Sequence, residues 1–190
     1  MSGLTSSAII NYNPFYNVDA TTKGATVEIE FESEYVQSND DELIRIGGTL
    51  NTDPHISIYP NRASLYIQGN PIITTNYKAN EKVKLTFIIE PSEGVSDEIK
   101  NVIFIVNNGI AERAAGWKGY NASAFNANSG NIKFGGVNSG VRVYNMRCYS
   151  KAITITNAYN NYVYDSDNKH EIVSANNIYS LGEINMPLCR

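Results

Sequence analysis

The stretch Ala25-Thr26-Val27-Glu28-Ile29-Glu30-Phe31, continued by Glu32, decides the fold class. Val27, Ile29 and Phe31 alternate with Glu28, Glu30 and Glu32. A period of two places the apolar residues on one face of a strand and the carboxylates on the other. The same pattern recurs along the chain. Leu43–Ile46 is short and apolar, after a turn at Asn39-Asp40-Asp41 and before Gly47-Gly48. Strands follow over His55–Tyr59, Ala63–Gln68 and Ile72–Tyr77, separated by Pro60-Asn61 and Gly69-Asn70-Pro71. Beyond Ala79-Asn80, Lys82–Glu90 has Val83, Leu85 and Phe87 on its apolar side. Lys100–Val106 is β-branched and runs into Asn108-Gly109, a pair suited to a tight turn with positive φ. Asn131–Gly135 and Val141–Tyr149 are the last strands. Strands at intervals of roughly 8–12 residues with turn chemistry at each gap predict an all-β fold, a two-sheet antiparallel β-sandwich.

The pattern changes near Ala152. Ala158, Tyr159 and Tyr162 fall at helical spacing over Asn157–Val163, with Thr156 as the expected N-cap. Asp165-Ser166-Asp167-Asn168 reads as a turn, and Lys169–Ile178 as a second short helix. The expected organisation is a sandwich over 1–152, then a helical tail and linker over 153–190, packed on or following it. Residues 1–20 are polar and irregular and read as a first strand or an arm.

Composition supports this reading. The 190 residues are enough for one domain. With 42% apolar and 18% charged residues, the chain has the profile of a folded protein. The 13 tyrosines, against one tryptophan, suit a core rim or a glycan- or protein-binding surface. A net charge of -4 with no basic run argues against a nucleic-acid partner. No stretch is apolar enough to predict membrane insertion by a helix. Of the two cysteines, Cys148 in its apolar strand reads as a buried thiol and Cys189 lies near the end.

The acidic row invites comparison with glycoside hydrolysis, which uses two carboxyls about 5–5.5 Å apart on one cleft face in retaining enzymes. The jelly-roll glucanases place such acids on a Glu-x-Asp-x-Glu strand. Here Glu30 stands at the middle position and the row continues to Glu34, so the expectation is a solvated strand face. A structural calcium ion at Glu28 and Glu30 is the weaker alternative, and no cofactor is expected. His55 reads as a half-exposed strand residue and His170 as a helix-surface residue, with no metal spacing around either. The best binding candidates are Arg113, Trp117, Lys118 and Tyr120, in a long loop over Ala111–Phe125, with Asn121 and Asn126 as polar neighbours. A tryptophan beside a tyrosine can stack on the C–H face of a sugar while asparagines meet its hydroxyls.

The order of pieces also resembles a known family. Val106-Asn107-Asn108-Gly109-Ile110 is followed by Trp117 to Phe125, Ile132-Lys133-Phe134-Gly135, Val141-Arg142-Val143-Tyr144-Asn145 and Asn160-Asn161-Tyr162. This succession resembles concanavalin A-like, laminin G-like jelly-roll modules over roughly residues 24–164. The tail, Tyr164-Asp165, His170-Glu171-Ile172 and Asn176-Asn177-Ile178-Tyr179, is similar to segments that follow such domains in phage tail and baseplate proteins. Where those modules carry an acidic residue at the helix start, this chain has Ile155-Thr156-Asn157. The resemblance implies a non-catalytic, lectin-like module of a phage structural or host-recognition protein. Its expected place is a virion or a cell surface, and its expected partner a host-surface glycan. The alternative is a structural module contacting other virion proteins, and a more distant one is a jelly-roll glycoside hydrolase.

Overall fold

The computed structural model describes residues 8–16, 23–35, 38–91, 101–115, 130–135, 140–167 and 173–174. They form the expected antiparallel β-sandwich. Its strands are β1 (Ala8–Ile10), β2 (Ala25–Tyr35), β3 (Ile44–Gly47), β4 (His55–Ile58), β5 (Arg62–Ile67), β6 (Asn70–Asn76), β7 (Val83–Glu90), β8 (Asn101–Val106), β9 (Glu112–Ala115), β10 (Asn131–Phe134), β11 (Gly140–Tyr149) and β12 (Val173–Ser174). One sheet, A, has the order β1-β10-β3-β4-β5-β6. The other, B, has the order β12-β11-β2-β7-β8-β9. A helix, α1 (Ile155–Asp167), lies on the outer side of sheet B.

The core between the sheets follows the alternation. Val27, Ile29 and Phe31 of β2, Val83, Leu85, Phe87 and Ile89 of β7, and Val102 and Phe104 of β8 meet Ile44, Ile46, Ile56, Ile58, Leu65 and Ile132 from sheet A. The β5–β6 hairpin is closed by Gln68 (φ 51°) and Gly69 (φ 77°). Two successive residues at positive φ give the mirror-image turn that matches strand twist. Pro71, expected in that turn, instead lies on β6, an edge strand where its missing N–H breaks no ladder. Gly24 (φ 69°) leads into β2, and a Cβ there would stand 2.0 Å from the Ile89 carbonyl oxygen.

Five local expectations are corrected. The left-handed residue after β8 is Asn107 (φ 53°), not the Asn108-Gly109 pair. Asn107 donates its N–H to the Lys84 carbonyl and accepts the Lys84 N–H on its side chain, so a local polar side chain stabilises the turn. The N-cap of α1 is Thr154, not Thr156: its Oγ1 accepts the Asn157 N–H at 3.1 Å. Asp165, Ser166 and Asp167 form the last turn of the helix and not an inter-helix turn. Val173 and Ser174, expected within a second helix, pair as β12 with Val143 and Arg142 of β11. The rest of that expected helix, with His170 and Cys189, lies outside the described residues. Cys148 is half-buried against the core instead of fully enclosed.

β11 carries an irregularity that period-two reading misses. Its register against β2 shifts between Val143 and Asn145, leaving Tyr144 as an extra residue. Val141 and Val143 pack on the core before the shift, and Met146 and Cys148 after it. The bulge keeps all four on the same side although their numbers change parity.

Candidate functional site

Glu28 and Glu30, expected on a solvated strand face, are buried instead. Glu28 is 1% and Glu30 7% exposed. The cause is α1. Ala158 packs on Ile88, Ile103 and Ile105, the outward residues of β7 and β8, and makes a second small core. Further along, the helix meets a group of charges beside Glu28. Asp165 receives two hydrogen bonds from Arg147, at 2.7 and 2.5 Å, and one from Lys84 at 2.7 Å. Glu28 lies 3.7 Å from Lys84 and 3.6 Å from Arg147. It accepts from the Asn161 amide at 2.9 Å and from the Tyr149 hydroxyl at 3.3 Å. Two carboxylates thus face two cations, and each acid also takes directed hydrogen bonds, the condition under which buried charge is tolerated. Burial by itself raises the Asp165 pKa, but the hydrogen bonds from Arg147 and then Lys84 outweigh it and hold it at about 2. Burial, and next the Glu28 charge, push the Tyr149 phenol up. These groups fasten the helix, so Glu28 has no free approach for a substrate or a cation.

Of the expected binding residues, Arg113 is described. It sits on β9, the edge strand of sheet B, opposite Ile103, and not in a loop. Its guanidinium meets Glu90 at 3.4 Å on the surface. Trp117, Lys118, Tyr120, Asn121 and Asn126 lie outside the described residues.

The outer face of sheet A gathers a different set. On β4 and just past it, His55, Ser57 and Tyr59 alternate outward. Across the ladder, His55 stands opposite Tyr66 and Ser57 opposite Ser64. The His55 and Tyr66 rings stack at 4.9 Å between centroids, 8° from parallel. His55 is buried rather than half-exposed. Its Nδ1 lies 2.7 Å from the Asp53 carbonyl, which can only accept, so Nδ1 carries the proton. Burial first, and the Arg45 charge next among the lowering influences, hold the His55 pKa below its ordinary value against the Asp53 hydrogen bond. Ser57 donates to Glu42, whose Oε1 is 3.5 Å from Arg45 Nη1. Burial raises the Tyr59 phenol pKa, with the nearby Tyr66 and Glu42 adding to the effect. Arg62 lies 4.2 Å over the Tyr59 ring. Two half-buried phenols, a serine, a carboxylate and a guanidinium therefore share one sheet face.

This set was open to discovery from sequence. The polar positions of His55–Tyr59 and those of Ala63–Gln68 flank one short turn, so a hairpin brings them together. Each position by itself looks like an ordinary wet strand residue.

No protein-family model matches the chain, and no curated protein matches it. Solved structures do. A receptor-binding domain has 13% identity and a TM-score of 0.57, with 83% of this chain and 39% of that one covered. A botulinum neurotoxin type C structure has 12% identity and a TM-score of 0.60, with the same coverage. The binding domain of botulinum neurotoxin DC, in complex with rat synaptotagmin II, has 12% identity and a TM-score of 0.58, covering 83% and 40%. The chain thus spans about two fifths of the length of each. At such identity the likeness is one of fold.

Proposed function

We propose that this chain is a non-catalytic carbohydrate-binding module of a virion or cell-surface protein, and that the outer face of sheet A takes part in holding a host-surface glycan. The observation that carries this reading is the grouping of Tyr59 and Tyr66 with Ser57, Glu42 and Arg45 on one rigid sheet face. Aromatic rings beside fixed donors and acceptors are what a sugar, apolar on its C–H faces and polar at its hydroxyls, requires. Trp117, Tyr120 and Asn121, which come after β9 in the sequence, offer the same chemistry. Proteins of similar fold lend support. For botulinum neurotoxin type C, cell uptake is described as depending on interaction with two ganglioside molecules.

A second reading is a protein-contacting module of a tail or baseplate assembly. It is favoured by the exposed Ile9, Tyr12 and Tyr16 on and beside the edge strand β1. The complex with rat synaptotagmin II shows that a similar fold contacts a protein.

A glycan array probed with the wild type, Tyr66→Ala and Trp117→Ala separates the two. Binding by the wild type that falls about tenfold in Tyr66→Ala supports the glycan site on sheet A. Absence of binding by the wild type at high concentration sinks the lectin reading.

A further inference from the structure

We propose a second ligand site, on the outer face of sheet B at Glu30, for a hydroxyl-bearing small molecule of the monosaccharide class, with the Lys82 side chain as its movable cover. The inference stands apart from the reading of sheet A and rests on a contrast within β2. Glu28 is served by donors on every side. Two residues further along the same face, Glu30 is not. Its side chain is 9% exposed, and its Oε1 meets Lys82 Nζ at 2.7 Å. Its Oε2 is buried with no hydrogen-bond partner among the described residues. A carboxylate oxygen only accepts, and a buried acceptor left unserved is costly, so a donor brought to it is favoured.

The surroundings select the kind of donor. Glu32 accepts the Tyr144 hydroxyl at 2.6 Å, and Arg142 stands opposite Glu32 on β11. Lys82 and Arg142 balance Glu30 and Glu32, so the group is neutral. A divalent cation would have to displace an ammonium already seated on the carboxylate, and an anion would meet two acids. A neutral hydroxyl brings no charge into the group and needs only that the exposed Lys82 side chain move off Oε1. The bulge in β11 turns Tyr144 onto this face, where Lys82 Nζ lies 4.3 Å over its ring. Lys82 is 46% exposed, and an ion pair so wet is held weakly. One swing of this side chain uncovers both the Glu30 carboxylate and a face of the Tyr144 ring. An acceptor and an aromatic surface side by side are the two contacts a pyranose needs.

The test is an NMR titration of the full chain with D-glucose, D-galactose, D-mannose and N-acetylglucosamine in turn, and separately with calcium chloride. The expected result is saturable shifts at the amides of Glu30, Lys82 and Tyr144 with at least one sugar. Glu30→Gln should weaken that binding about tenfold, and Lys82→Ala should tighten it several-fold. Tyr66→Ala should leave it unchanged, which keeps this site distinct from sheet A. Should Glu30→Gln fail to fold, Lys82→Ala decides alone. The proposal is overturned by no saturable shift with any of the sugars, by shifts at these amides with calcium alone, or by Lys82→Ala leaving sugar binding unaltered.

Discussion

The outer faces of the two sheets are built from the same alternating pattern and have opposite fates. On sheet A the outward residues of β4 and β5 pair with one another in plane, and the tyrosines keep an edge to solvent. On sheet B one part of the outer face, around Glu28, Lys84, Ile88, Ile103, Ile105 and Arg147, is roofed by α1. There Ile88, Ile103 and Ile105 become a second core, and Glu28, Lys84 and Arg147 become a buried ion network. Alternation sorts side chains into two faces; it does not say which face meets water. That is decided by what the rest of the chain lays over the sheet.

The largest effect should come from removing the roof. A chain ending at Ala152 lacks α1, exposes three buried isoleucines and strands Lys84 and Arg147 beside a single acid. Each isoleucine is worth about 1.5–3 kcal/mol, so the loss approaches the whole stability of an ordinary domain. Such a truncated chain is expected to give no cooperative urea transition, whereas a chain ending after Asp167 retains one. Equal transitions in the two would show that sheet B does not need its roof.

A sharper cut is Asp165→Asn, which keeps the helix but leaves two buried cations facing Glu28. The expected cost is about 3 kcal/mol, read from the urea midpoint at neutral pH. The same residue makes sheet B acid-sensitive. Because its folded pKa, about 2, lies below the ordinary 3.8, its contribution is present above the ordinary value. That contribution, about 2 kcal/mol, is lost as the pH falls from about 5 through 2. In Asp165→Asn this part of the acid loss should be missing.

The smallest effect belongs to sheet A. His55 has a folded pKa below its ordinary 6.5, so the unfolded chain binds the proton more readily. Its contribution is complete above pH 6.5 and declines as the pH drops towards 5. A small fall in the urea midpoint from pH 7.5 to pH 5, abolished in His55→Gln, is the expected result. An identical fall in the variant would assign the loss elsewhere.

What could be read from sequence divides along the same line. The hairpins of sheet A join neighbours, so turn residues and alternation reveal the pairing of β4, β5 and β6. The roof of sheet B is not local: Asn161 reaches Glu28 across 133 positions. Without that partner in view, a row of glutamates reads as wet. The bulge at Tyr144 is silent for a related reason, since one extra residue only breaks the parity that the reading depends on. Thr154 precedes the helix and Thr156 lies in its first turn, and the geometry of that turn chose between them. At the candidate sites, residue type pointed to sugar chemistry at Trp117 and Tyr120. The stacking of His55 on Tyr66, by contrast, follows from the hairpin that pairs β4 with β5.

The return of α1 over β2 also sets an order of events. β2 is among the first strands to be synthesised, yet it gains its ladder neighbours only with β7 and β11, and its lid only with residues 155–167. Contacts so distant in the chain are slow to form, because loop closure must precede their reward. During translation the emerging chain therefore carries an unfinished sheet, with Ile29 and Phe31 unburied, until the last strands have left the ribosome. An apolar strand face left open during synthesis is the kind of surface that chaperones shield.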